Sequence, residues 1–198
     1  MKRILTSAAV LGFTLLASAG ASAQSVPSSP IQFGVMGGVT FPTSDFKDVL
    51  KTGWNAGALF DLGFASSPVA LRIDGQWNQF NFKNEPLLAG SHYRVIDGTA
   101  DAVFNMPSAS RAKFYLIAGA GVYNLKITDP GEDISDFNTN SVTKFGLNGG
   151  AGLKLNLPGI SPFIEARYHY VFLKGNDFAN NGANPKLQMI PISVGIMF

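Results

Sequence analysis

The chain closes on a run that alternates at period two. Ile190, Ile192, Val194, Ile196 and Phe198 share one face; Pro191, Ser193, Gly195 and Met197 share the other. Alternation of this kind marks a β-strand whose two faces meet different surroundings. One face is bulky and apolar without interruption, and the other is small or polar. A strand like this at a free sheet edge invites aggregation, whereas closing the sheet on itself pairs the last strand with the first and removes the edge. The terminal strand therefore points to an all-β closed barrel.

The opposite end carries an export signature. Met1-Lys-Arg precedes an apolar run from Ile4 to about Leu16, and small residues lead to Ala21-Ser-Ala23. A basic start, a short apolar core and an A-x-A site read as a signal peptide over residues 1–23, cut after Ala23. The expected mature product is Gln24–Phe198, one domain by length. Without Lys2 and Arg3, 13 basic residues face 13 acidic ones, so a nucleic-acid partner has no electrostatic support. The chain has no Cys, which excludes disulfides and lipid attachment through a thiol. Beyond the signal no apolar run is long enough for a spanning helix. The chain is either a soluble all-β protein or one that crosses a membrane as strands.

Turn chemistry cuts Gln24–Phe198 at seven places, and the cuts alternate in length. Residues 42–52, 83–91, 128–140 and 174–185 are long and polar; residues 65–68, 107–111 and 158–161 are short. Pro, Gly, Asn, Asp and Ser supply the dihedrals that reversals need. Seven breaks give eight strands, and one trimmed rim with one elaborated rim is the asymmetry of a transmembrane up-and-down barrel. Ser44–Lys51 is expected to form a helical turn, with Phe46, Val49 and Leu50 packing on the rim.

Between the breaks, polar and apolar residues take opposite faces. Ile73 and Trp77 oppose Arg72, Asp74, Gln76 and Asn78; Ile164, Ala166 and Tyr168 oppose Glu165, Arg167 and His169; Phe145, Leu147 and Leu153 oppose Lys144, Asn148 and Lys154. Parity slips near Gln79, where Phe80 and Phe82 change sides, which suggests a bulge or a strand end. The polar face holds Asp61, Asp74, Asp97, Asp101 and Glu165 against Arg72, Lys144, Lys154 and Arg167. A charge-matched polar lumen inside an aliphatic wall suits a bilayer. Aromatics are expected in two belts: Phe41, Trp54, Trp77, Tyr93, Phe145, Tyr170 and Phe172 by the long loops, and Phe33, Phe64, Phe104, Phe114 and Phe198 by the short turns.

Gly34-Val-Met-Gly-Gly-Val-Thr-Phe41, Tyr115-Leu-Ile-Ala-Gly-Ala-Gly121, Pro162-Phe-Ile-Glu-Ala-Arg167 and the terminal Ile190–Phe198 resemble segments of small eight-stranded outer-membrane β-barrels. The likeness is to the outer-membrane-protein-A and X type and to the opacity or porin-family barrels, without a peptidoglycan-binding domain. It implies an antiparallel up-and-down transmembrane barrel with short periplasmic turns and four longer outer loops. It also implies a place in the bacterial outer membrane, with outer-membrane lipid around it. The barrel-assembly machinery would read the last strand through Ile196 and Phe198. Where that family usually has Gly five residues before the end, this chain has Ser193.

Catalysis, cofactor and metal are not expected. Some barrels that resemble this one are lipid A deacylases or acyltransferases, but His92 and His169 are the only imidazoles and His169 lacks the Ser two residues on. No nucleophile–base–orienter set can be assembled. Ala118–Gly121 and Gly149–Gly152 open no helix, so they read as small residues on a crowded inner wall, not as a phosphate loop. Asp129, Glu132, Asp133 and Asp136 miss the spacing of a Ca²⁺ loop.

The leading functional expectation is a structural or surface-interaction barrel whose loops 42–52, 83–91, 128–140 and 174–185 meet a ligand or partner, around a largely plugged lumen. A narrow porin-like channel is the first alternative. A periplasmic lipocalin-like barrel is the second, and it would turn Phe145, Leu147 and Leu153 inward to line a cavity.

Overall fold

The computed structural model describes residues 31–64, 67–83, 90–128, 141–173 and 187–198, so the export signature at 1–23, most of the loops at 83–91, 128–140 and 174–185, and the four loop acids lie outside the described residues. Eight strands run in chain order: β1 (Ile31–Thr43), β2 (Gly53–Gly63), β3 (Val69–Asn81), β4 (His92–Asn105), β5 (Ala112–Thr128), β6 (Val142–Leu155), β7 (Ser161–Val171) and β8 (Leu187–Met197). Each pairs antiparallel with its sequence neighbours, and β8 closes on β1, giving a closed up-and-down barrel. Closure ends in two backbone hydrogen bonds, Phe198 N–H to Phe33 C=O (2.8 Å) and Phe33 N–H to Phe198 C=O (3.4 Å). The strands have 11 to 17 residues, enough to cross a bilayer at a tilt.

The faces separate as the alternation requires. Phe145 is 54% exposed on the outer wall, Val194 58%, and the large exposed apolar residues of the strands lie on the outside. Phe145 and Leu147 point away from the lumen, which overturns the lipocalin-like alternative. Arg72, Asp74, Gln76 and Asn78 of β3 point in and are buried. The tight turn between β6 and β7 places Gly159 at φ +81°, in the left-handed region glycine enters without strain.

Two expectations are corrected by the strand registers. Of the bulge or strand end expected near Gln79, the bulge is absent and the strand ends at Asn81: β3 pairs with β4 without a skipped residue from Val69↔Phe104 to Asn81↔His92. Parity fails there because the lumen itself becomes apolar. Phe80, Tyr93, Val95, Tyr123, Leu125, Val171, Leu187 and Met189 point inward and pack together at the long-loop end. Tyr93 therefore belongs to this inner cluster, at 2% exposure, and not to the outer aromatic belt.

The first long connection completes that cluster. Residues Ser44–Asp48 form a 3-10 turn, and Phe46 and Leu50 reach the cluster while Val49 faces outward. Leu50 bridges to Phe82, Lys51 N–H donates to Asn81 C=O (2.8 Å), and Lys83 N–H donates to Val49 C=O (2.7 Å). The connection is thus laced across the barrel mouth.

One ladder is interrupted. β7 and β8 pair from Ser161↔Met197 to Ala166↔Ile192 and again from His169↔Met189 to Val171↔Leu187, missing the rungs opposite Pro191 and Ile190. Proline has no N–H to donate, so the rung facing Arg167 loses its bond. The β1–β8 ladder runs on through Thr40↔Pro191.

Candidate functional site

The polar lumen lies between the apolar cluster at the long-loop end and two smaller apolar clusters: Met36, Leu59, Phe163 and Met197 in one, Ala70, Val103, Tyr115 and Ile117 in the other. Its members follow from strand parity. Positions two apart on one strand share a face. Arg72 and Asp74 on β3, Asp97 and Asp101 on β4, and Glu165 and Arg167 on β7 therefore all enter the same interior.

Two arginines gather four of the carboxylates read from the sequence. Arg72 holds Asp61 with a two-pronged contact, Nε to Oδ1 at 2.6 Å and Nη2 to Oδ2 at 3.0 Å. Its third arm crosses the lumen to Glu165 Oε2 at 2.7 Å. Glu165 uses its other oxygen on Arg167 Nε, also at 2.7 Å. Arg167 then reaches back across to Asp74 Oδ2 (2.9 Å) and Asp101 Oδ2 (3.2 Å). The planar five-donor fork of arginine suits this bridging in a way that a lysine ammonium would not.

Neutral donors complete the network. Tyr115 Oη donates to Glu165 Oε2 (2.8 Å), Thr99 Oγ1 to Asp101 Oδ2 (2.6 Å), and Asn148 Nδ2 to Asp101 Oδ1 (2.7 Å). The Arg72 guanidinium carbon also stands 5.4 Å from the Tyr115 ring centre. Three inner glycines make the room. A Cβ at Gly119 would overlap Asp101, at Gly150 Arg167, and at Gly152 the Tyr115 ring. This is the crowded inner wall that the glycine runs imply.

The remaining three charged residues flank this cluster. Asp97, 3% exposed, accepts a hydrogen bond from Asn78 Nδ2 at 3.0 Å. Lys154 is buried at the short-turn end, across the β5–β6 ladder from Lys113. Lys144 is half-buried at the long-loop end, opposite Tyr123.

Above the arginines lies a web of neutral polar groups. Thr40 Oγ1 donates to Asn78 Oδ1 (2.7 Å), Asn55 Nδ2 to Thr40 Oγ1 (3.0 Å), Ser193 Oγ to Asn55 Oδ1 (2.9 Å) and Gln76 Nε2 to Ser193 Oγ (3.2 Å). His169 is fully buried, with Nδ1 2.9 Å from Tyr123 Oη and its ring edge-on to the tyrosine. His92 sits apart near the mouth, Nδ1 2.7 Å from Asn81 Oδ1. Alternation identified most of this web as inward. It did not single out Tyr115, Tyr123 or Thr40, because an aromatic or threonine reads equally well on either face of a strand.

A family model for the outer membrane protein beta-barrel domain matches residues 10–198. The chain belongs to that family. It is an integral β-barrel of the bacterial outer membrane, and the exposed apolar wall is the surface it turns to lipid. Among solved structures the barrel is similar to Neisserial surface protein A, at TM-score 0.64 and 15% identity, covering 85% of this chain and 96% of that one. It is also similar to a major outer membrane protein of Thermus thermophilus, at TM-score 0.53 and 11% identity, covering 86% of this chain and 99% of that one. Both likenesses concern the fold. A comparison with curated proteins gives no match.

Proposed function

We propose that this barrel is a closed membrane anchor that presents its long connections at the cell surface, with a structural or surface-interaction role and no catalytic one. The observation that carries this reading is the filling of the lumen. Arg72 and Arg167 each tie opposite walls together, and a contiguous apolar cluster lies over them. Asp61, Arg72, Asp74, Asp101, Glu165 and Arg167 form the plug, with Asp97, Lys144 and Lys154 as its flanking charges. Eight strands leave little more than the volume of their own side chains. Ile196 and Phe198 serve as the signal for the barrel-assembly machinery, and the loops at 42–52, 83–91, 128–140 and 174–185 meet the ligand or partner.

Liposome swelling tests the closed-anchor reading. Vesicles containing the purified barrel are expected to take up monosaccharides and amino acids no faster than empty ones. Uptake that scales with the amount of barrel would instead make it a narrow channel for small solutes.

A further inference from the structure

Among the described residues, three acceptor oxygens on one patch of the upper lumen wall have no donor: Asp74 Oδ1, Gln76 Oε1 and Asp97 Oδ1, each on a side chain 3% exposed. Asp74 and Gln76 are two apart on the inner face of β3, and Gln76 lies directly across the ladder from Asp97. The orientation of the Gln76 amide is fixed by its neighbours. Its Nε2 donates to Ser193 Oγ and to Asn55 Oδ1, and the Ser193 hydroxyl is itself spent on Asn55 Oδ1. Turning the amide round would set carbonyl oxygen against carbonyl oxygen.

The charge balance at this level is also uneven. Asp74 and Asp101 share Arg167, whose Nε is engaged by Glu165, while Arg72 is engaged by Asp61 and Glu165. Asp97 receives an amide hydrogen bond on Oδ2 and nothing on Oδ1 among the described residues. A buried carboxylate held by a neutral donor is costly unless a positive charge compensates it. Unsatisfied oxygens and missing positive charge at one place are the requirements of a hard cation.

We propose that the upper lumen binds a monovalent alkali cation, sodium or potassium, through Asp74 Oδ1, Gln76 Oε1 and Asp97 Oδ1. A divalent ion fits less well on charge, since Asp74 is already paired with Arg167 and Asp97, held by the neutral Asn78 amide, is the carboxylate left to compensate. The site locks β3 to β4 and supplies the charge that Arg167 does not. This site is independent of any surface role and of whether the barrel conducts.

The test is the temperature at which the folded, fast-migrating gel band of the purified barrel disappears. It is measured in chloride salts of choline, sodium and potassium at equal ionic strength. A ligand that binds only the folded state raises the midpoint with its concentration, by roughly 3 °C per tenfold above half-saturation for a chain of this size. The wild-type barrel is expected to gain in sodium or potassium over choline. Asp97→Asn, which keeps the shape and removes the charge, is expected to be insensitive to the cation. Asp61→Asn, whose carboxylate is fully engaged by Arg72, is expected to lower the midpoint in every salt and keep the cation response. Gln76→Met serves as a second variant if Asp97→Asn does not assemble, and it too should flatten the response. Equal wild-type midpoints in all three salts would overturn the site and assign the compensation of Asp97 to a proton. An undiminished response in Asp97→Asn or Gln76→Met would overturn it equally.

Discussion

Arg167 contacts Glu165, Asp74 and Asp101 with one guanidinium, and all four groups are buried. Removing it leaves carboxylates facing one another in a low-dielectric interior. Breaking a buried ionic cluster from one side costs about 3–5 kcal/mol, far more than a surface pair. Arg167→Ala is therefore expected to lower the temperature at which the folded gel band is lost. Arg167→Lys should recover part of that loss, since it restores the charge but not the fork that reaches three partners. Equal midpoints for all three proteins would remove Arg167 from the proposed plug. Gly150 tests the same contact from the other side. A Cβ there would meet the backbone oxygen of Ala166 as well as Arg167. Gly150→Val is expected to reduce the folded fraction in outer membranes severely, whereas Gly98→Ala, where an added Cβ meets nothing, should leave it unchanged.

At the scale of strands and connections, the feature that alternation did not reveal is the apolar cluster under the mouth. Its cause is general. Period two reports a strand only while its two faces differ, and at Phe80, Tyr93, Leu125 and Leu187 the lumen face is as apolar as the lipid face. The mid-lumen charges were legible because Arg72, Asp74, Glu165 and Arg167 stand against aliphatic residues on the same strands. Which arginine takes which carboxylate across the barrel was not, because the contacts join β3 to β7 over a sequence separation of 93 residues. The helical turn at Ser44–Lys51 was legible from spacing, but which of its apolar residues turn inward was not. Leu50, 1% exposed, is the connection's main anchor in the cluster. Truncating a buried leucine costs about 2–5 kcal/mol. Leu50→Ala is expected to expose residues 44–52 to protease in intact barrels, with the wild-type connection resisting under the same conditions. Unchanged cleavage would mean that the connection is held by its backbone bonds alone. At the closing seam, Phe198 bonds Phe33 through the backbone and stands with its ring 6.0 Å from the Phe33 ring. Phe198→Ala should lower the folded fraction in cells while refolding into detergent proceeds as in the wild type. Equal loss in both settings would make Phe198 a packing residue, not an assembly signal.

The whole molecule is a lipid-facing cylinder with a zoned interior: the arginine–carboxylate network and neutral polar groups in the middle, apolar clusters toward both ends. The outward aliphatic face, the trimmed rim and the closing strand were all readable from the chain, because each repeats along every strand or sits at a turn. The proposed closure of the interior was expected from the strand number; which side chains from opposite walls meet to form it is what no local pattern encodes. That closure is the claim most exposed to a direct measurement: ionic conductance of the purified barrel across a planar lipid bilayer, beside Arg167→Ala. The wild type should show no sustained open level, and the variant should show openings or a raised leak. A steady wild-type conductance of a size that Arg167→Ala leaves unaltered would contradict the closed lumen and assign the ions a path the arginines do not guard.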